Sequence, residues 1–418
     1  MEYRNHWLKL DNAAKIYPAA SNDSRSMTFR LAFYLKEEVD PTILEKAVNN
    51  LLPRFDSFNV KFKKGLFWNY FAANNKYFKV EKENAIIGQY KLNSHSRYCF
   101  RVLYFGTRIT LETFHSLADG TGAMEFLKSI VFEYLKLKGH KINPENKIFS
   151  EKIATEYEKM DAFSYSYDKH NKLPLREEKA YKIKGEIYPN NWNLFVKSTV
   201  NTDAFLNVCR SKNVTATQYT VALIVYSIYK NQPGCFNSKK PIKVLVPVNL
   251  RKYFDFYTLR NFSLYIKITI HTYHKHLSFE DILAETCKQF DEQLNKETMI
   301  KRMNANVYFE KLIVFRLVPQ FIKNLALKIA YKVANDKIVT LDISNLGRVD
   351  LPEEMYDYIH QVDFANVSEK LSVTMITLKD KMNIIFSSKI KNLSIIYDVI
   401  NTLKKENLDL VIQTNYEG

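Results

Sequence analysis

Strand-like runs and capped helices alternate along both halves of this chain, and that alternation restricts it to a mixed α/β architecture. In the first half, Asp40-Pro41 supplies an N-cap and a proline at the first helical position, ahead of a stripe of Ile43, Leu44, Ala47, Val48 and Leu51. Two strand-like stretches, Tyr98–Phe105 and Ile109–His115, flank Gly106-Thr107-Arg108, which reads as a hairpin turn. A helix then carries Met124, Leu127, Val131 and Tyr134 on one face and stops near Gly139. In the second half, Thr215-x-x-Gln218 and Ser278-x-x-Asp281 read as helix caps. Strands are predicted there at 242–249, 262–270, 338–345, 371–378 and 382–390.

At 418 residues the chain exceeds what one core usually organises, so two domains are the expectation. Weak periodicity, many charges and three prolines (Pro144, Pro174, Pro189) place the crossover between about 140 and 190. The reading is a first domain over 1–165, a linker over 166–190 and a second domain over 191–418. With 46% hydrophobic and 25% charged residues, global disorder is excluded. Cys99, Cys209, Cys235 and Cys287 lie too far apart for a zinc or redox motif and read as free thiols of a reducing compartment. MEYRNHWLKLD lacks an apolar h-region, and no uncharged apolar stretch approaches membrane-spanning length, so a soluble cytoplasmic protein is expected.

The net charge of +16 invites a nucleic-acid reading, but the cations are 47 Lys against 14 Arg, spread along the whole chain. Arginine is the residue suited to bidentate phosphate and base contacts, so nucleic acid is set aside. A basic surface still attracts anionic ligands such as the phosphates of a nucleotide-bearing cosubstrate or an acidic carrier protein.

Chemistry concentrates in L-E-T-F-H-S-L-A-D-G-T-G. His115 stands at a strand end, Asp119 follows four residues on, and Gly120 and Gly122 lead into a helix. A strand holds an imidazole still, glycine permits the tight exit, and an ordinary pKa of about 6.5 suits proton abstraction near neutrality. Asp119 is placed to pair with an arginine and lock the turn rather than to act as a second base. The bland alternative is that Asp119 only N-caps the helix while His115 is a strand residue with a satisfied ring.

HSLADG resembles the HxxxDG signature of the chloramphenicol acetyltransferase-like superfamily, which includes condensation domains, plant BAHD acyltransferases and bacterial alcohol acetyltransferases. WLKLDNAAKIYPA and FRLAFYL resemble the opening of the alcohol acetyltransferase group. LLPRFDSFNVKF with FWNYF, then VPVNLRKYF, RNF and LDISNLGRVDLP, resemble later segments in the same chain order. The resemblance implies two chloramphenicol acetyltransferase-like domains with an active-site tunnel between them. It implies an acyl-CoA-dependent acyltransferase moving an acyl group, acetyl by expectation, to an alcohol or amine.

On that resemblance His115 is the general base, acting without a covalent intermediate. Asp119 pairs with Arg251 of VNLR, and Gly120 is the motif glycine. Ser344 and Asn345 of the SNLG-like segment line the oxyanion side, although Asn-Leu-Gly suits a polar turn equally well. Asn261 of RNF positions a second-domain strand near the channel. Acyl-CoA is a cosubstrate and no permanent cofactor or metal is implied. The partners are acyl-CoA, a small alcohol or amine acceptor and, by charge, an acidic carrier protein. Phe114 stands where condensation domains usually carry a second histidine, which weakens a peptide-condensing role. With no carrier domain appended, a free-standing enzyme is expected; a catalytically degenerate, carrier-binding relative is the alternative.

Two other features of the sequence invite a functional reading. His271, His274 and His276 lack nearby carboxylates or thiols and read as a solvated loop rather than a metal site. FEKLIVFRLVPQFIKNLALKIAYKVA is apolar and basic. A helix pair kinked at Pro319 and packed between the domains is preferred for it, with peripheral membrane contact as the second reading.

Overall fold

The computed structural model describes residues 7–21, 27–83, 98–168, 178–189, 192–254, 256–311, 318–331, 337–367 and 371–415. The expected linker at 166–190 and the apolar segment around 310–335 therefore lie partly outside the described residues. No helix among the described residues is long and apolar enough to cross a membrane.

Strands of the first half are β1 (Trp7–Lys9), β2 (Thr28–Leu35), β3 (Val60–Lys63), β4 (Tyr70–Ala73), β5 (Glu81–Lys82), β6 (Phe100–Phe105) and β7 (Arg108–Phe114). Those of the second are β8 (Leu194–Asn201), β9 (Ile242–Asn249), β10 (Ser263–Ile270), β11 (Leu341–Arg348), β12 (Ile359–Asn366), β13 (Leu371–Leu378), β14 (Lys381–Ser388) and β15 (Leu410–Thr414). A five-stranded sheet runs β12-β2-β7-β6-β5, a seven-stranded sheet runs β10-β9-β11-β13-β14-β8-β15, and β1-β4-β3 form a small third sheet. Parallel pairs (β9–β11, β11–β13, β5–β6) sit among antiparallel ones, so the fold is mixed α/β as expected.

β7 is the central strand of the first sheet, and every residue after Arg108 is buried. It is joined to β6 by the hairpin at Gly106, whose φ of +52° suits glycine. Glu112 can be buried on this strand because Arg30 binds it at 2.6 Å and Arg101 binds its other oxygen. Helices α1 (Ile16–Ala20), α2 (Pro41–Leu51) and α3 (Gly120–Leu137) belong to this half. Asp40 caps α2 by accepting from the Thr42 and Ile43 N–H groups, and Pro41 opens the helix. Thr215 and Ser278 form the reciprocal capping boxes read from the sequence.

Each of the two larger sheets has its own apolar core. The chain does not keep to a simple sequential division between them. β12 pairs antiparallel with β2 at the edge of the first sheet, so a strand from the second half closes the first half's sheet. The handover begins at a bulge in β11 between Asn345 and Arg348, where Gly347 has φ +77°. Beyond it, Val349, Leu351 and Met355 are buried in the first core rather than the second. His115, at the end of β7, therefore lies close to where the chain changes sheets.

Candidate active site at the seam of two sheets

β7 ends at Phe114, and the His115 N–H extends its ladder by one bond, donating to the Met27 carbonyl at 2.9 Å. Ser116 Oγ donates to the Ala14 carbonyl at 2.8 Å, which ties the turn to the segment before α1. Asp119 then N-caps α3, its Oδ1 accepting from the Gly122 N–H at 3.0 Å. Gly122 is required by close approach: a Cβ there would stand 1.9 Å from the Leu259 carbonyl oxygen. One short turn thus carries the histidine, a helix cap and a backbone contact with the second half.

Asp119 and Arg251 meet in a bidentate ion pair. Arg251 Nη1 lies 2.9 Å from Asp119 Oδ2, and Nη2 lies 3.2 Å from Oδ1. The remaining guanidinium bonds go to the Thr258 and Arg260 carbonyls and to Asn249 Oδ1. All five N–H donors of the side chain are used. Asp119 Oδ2 also accepts from the Phe262 N–H at 2.8 Å, so each carboxylate oxygen accepts two hydrogen bonds. This pair stitches the motif turn to β10 and its approach; it has no donor or acceptor left for a reactant.

The imidazole is half-buried and lies parallel to the Tyr17 ring, centroids 4.3 Å apart at 11°, with Phe29 packed edge-on at 5.1 Å. Its Nδ1 is buried without a hydrogen-bond partner among the described residues. Burial pulls the ring below its ordinary histidine value, and the Asp119 charge and Asn261 oppose this more weakly. A neutral imidazole at pH 7 is the form that can accept a proton.

Asn261, expected to position a second-domain strand near the channel, is a polar neighbour of this ring. It is buried, and its Nδ2 donates to Asp11 Oδ2 at 3.3 Å and the Ser116 carbonyl at 3.4 Å. Its Oδ1 is buried without a partner, as is His115 Nδ1. Asp11 was not singled out from sequence. It is fully buried, accepts from the Ala14 N–H at 2.8 Å and faces Arg260 Nη2 at 3.5 Å. Burial pushes its carboxyl up to about 6, against the pull of Arg260. Tyr17 and Phe29 were likewise missed, because aromatic residues in an aromatic-rich chain carry no positional signal.

The SNLG-like segment reaches the site through Leu346, whose side chain lies against Gly120. Asn345 Nδ2 donates to Thr217 Oγ1 at 3.0 Å, and its Oδ1 accepts from the Gly347 N–H at 2.8 Å. One Nδ2 hydrogen remains. Ser344 stands beside it on β11, paired with Thr374. A cavity of about 650 Å³ opens nearby among Trp7, Lys9, Leu10, Lys15, Trp68, Asn69 and Tyr70; its lining does not include His115.

No family model and no curated protein matches the sequence. Solved structures do match over nearly the whole chain. The trichothecene 15-O-acetyltransferase TRI3 from Fusarium sporotrichioides aligns with TM-score 0.61 and 10% identity, covering 96% of this chain and 94% of that one. TRI101 of F. graminearum, complexed with coenzyme A and deoxynivalenol, aligns at 0.60 and 10%, covering 96% and 97%. A mutant starter condensation domain of rhizomide synthetase RzmA in complex with C8-CoA aligns at 0.59 and 11%, covering 97% and 98%. The chain therefore has the two-domain, chloramphenicol acetyltransferase-like fold that these acetyltransferases and condensation domains share.

Proposed function

We propose that this chain transfers an acyl group from a CoA thioester to the hydroxyl or amine of an acceptor, with His115 as general base. The observation that carries the reading is the state of one ring. It sits at the seam of the two sheets, burial pulls it below its ordinary histidine value, and its Nδ1 is buried without a partner among the described residues, which leaves Nε2 as the edge assigned to the reactants. For Nε2 to hold the free lone pair, Nδ1 must carry the hydrogen, and the unpartnered Oδ1 of Asn261 is the acceptor provided nearby.

The acceptor's proton passes to Nε2 as its oxygen or nitrogen attacks the thioester carbonyl. The tetrahedral oxyanion needs a donor, and the Ser344 hydroxyl with the remaining Asn345 N–H is the proposed source. Collapse expels the CoA thiolate, which takes the proton back from Nε2, so no acyl-enzyme forms. Asp119, Gly120 and Arg251 hold the turn and touch no reactant. The acyl group is proposed as acetyl and the compartment as the cytoplasm. The passage is proposed to run between a domain over 1–165 and one over 191–418, with acyl-CoA and acceptor entering separately.

Thiol release from acetyl-CoA and longer acyl-CoAs, measured over a panel of alcohols and amines, tests the reading. His115→Ala should lose about 10²- to 10⁴-fold in rate. Retention of the full rate by that variant would overturn the mechanism, and coenzyme A binding without turnover of any acceptor would make the chain a binding protein.

A further inference from the structure

The helix Gln320–Tyr331 has two unlike faces. Inward, Gln320 and Lys323 are buried. The Gln320 N–H donates to the Leu66 carbonyl at 2.8 Å, and Lys323 Nζ donates to the Phe67 carbonyl at 2.9 Å while lying 3.5 Å from the Trp68 ring centroid. Outward, Phe321 is 72% exposed and Leu325 61%, with Ile322 and Ile329 also exposed. Positions 321, 325 and 329 fall on one helical stripe. The helix was expected between the domains; its hydrogen-bonded face does pack inward, but the apolar stripe faces water. Leu66, Phe67 and Trp7 extend the same surface and are exposed as well. A contiguous apolar surface of this kind marks an interaction site.

The charges within the loop and the helix themselves are of one sign. Residues 57–80 and 311–335, which supply the loop and the helix, contain no Asp or Glu. Lys63, Lys64 and Lys328 lie along them, and Lys9 and Lys15 line the adjoining cavity with Trp7 and Trp68. Asp11, next to the cavity-lining Leu10, is fully buried and faces Arg260. A second copy of the chain would set lysine against lysine here, with no carboxylate from either segment to relieve the repulsion. An apolar stripe rimmed by lysine, with tryptophan at its margin, instead matches the layered polarity of an anionic lipid surface.

We propose that this face docks on an anionic lipid bilayer. The Phe321–Leu325–Ile329 stripe lies in the interfacial layer, the lysines meet lipid phosphates, and the 650 Å³ cavity between Trp7, Lys9, Lys15 and Trp68 takes a phospholipid headgroup. The proposal is independent of acyl transfer. The inner face of the same helix, however, reaches the shell of His115, since Tyr331 Oη contacts Met27 Sδ at 3.8 Å and Met27 binds the His115 N–H.

Cosedimentation of the full chain with vesicles tests it without any substrate. Vesicles of phosphatidylcholine mixed with phosphatidylglycerol should bind the protein about tenfold or more tightly than phosphatidylcholine alone, with affinity falling as salt rises. On binding, Trp emission should shift to the blue through Trp7. Phe321→Asp with Leu325→Asp should abolish sedimentation at an unchanged melting temperature, both side chains being exposed. Lys64→Glu with Lys328→Glu, and separately Lys9→Glu with Lys15→Glu, should remove the preference for the anionic vesicles. No binding to mixed vesicles, or binding unaltered by the aspartate pair, would overturn the proposal. A dimer dissociated by Leu325→Asp in the absence of vesicle binding would give the face to a second copy instead.

Discussion

Two buried carboxylates bracket the His115 turn, and each faces an arginine from the second half of the chain, yet they are in opposite condition. Asp119 is saturated: a bidentate Arg251 and the N–H groups of Gly122 and Phe262 occupy both oxygens. Asp11 is short of partners, with one backbone N–H at 2.8 Å, an amide at 3.3 Å and Arg260 no closer than 3.5 Å. Burial correspondingly lifts Asp11 to about 6. Beyond it lie Asn261 Oδ1 and His115 Nδ1, both buried and both unpartnered among the described residues. A carboxylate whose bonds are all spent can only hold structure. One that is poorly compensated, next to an amide that touches the ring, marks the side of the turn where protons can be redistributed.

The largest effect expected from this contrast is at the saturated pair. Asp119→Ala leaves a buried guanidinium without its counter-charge, as Arg251→Ala does for the carboxylate, and each should cost about 3–5 kcal/mol in thermal or denaturant unfolding. Arg251→Lys should recover little of this, because an ammonium cannot reproduce five fixed donors. Unfolding curves that match the unaltered chain would show that Asp119 does not brace the turn. Gly122→Ala comes next, at about 1–3 kcal/mol, since a methyl group must displace the Leu259 carbonyl.

Asp11 should betray itself through pH. Its folded pKa of about 6 lies above the unfolded value near 3.8, so the folded state binds the proton more tightly. Its contribution to stability is full below about pH 3.8 and is lost as pH rises through about 6, a drain of up to about 3 kcal/mol. Asp11→Asn should flatten that slope, read as stability measured between pH 4 and 7. A slope unchanged by the substitution would mean that Asp11 is better compensated than its contacts imply.

Much of this was legible in the sequence for local reasons. Caps at Asp40, Thr215 and Ser278, the Gly106 hairpin and the strand runs depend on neighbouring residues, and β9 and β13 occupy the spans read from sequence. The motif turn and the Asp119–Arg251 pair were legible through the resemblance, because four residues of spacing and an NLR segment are compact signals. Asp11 was not, since its importance comes from Asn261, 250 residues away, and from burial that no local pattern announces. β12 escaped for the same reason. Its partner β2 lies in the other half, and its burial alternates too irregularly to mark a strand. The outward stripe of Gln320–Tyr331 was visible as amphipathic periodicity, but sequence cannot say which way a helix turns its apolar side.

The smallest expected effect separates burial from charge as the cause of the histidine's state. Burial is the largest influence on the ring and lowers it, whereas the Asp119 charge and Asn261 raise it weakly, and Asp11 is not among the influences. If the acyl-transfer reading holds, activity should fall on the acid side as the ring protonates, with a midpoint below the ordinary value of about 6.5. Tyr17→Ala opens the stacked face of the imidazole to water and should move that midpoint up toward the ordinary value. Asp11→Asn should leave it nearly in place while still flattening the stability slope. Profiles of kcat/KM against pH for the two variants decide between these causes. A midpoint that moved with Asp11→Asn and ignored Tyr17→Ala would reverse the assignment, making the undersatisfied carboxylate, rather than the aromatic lid, the group that sets the base.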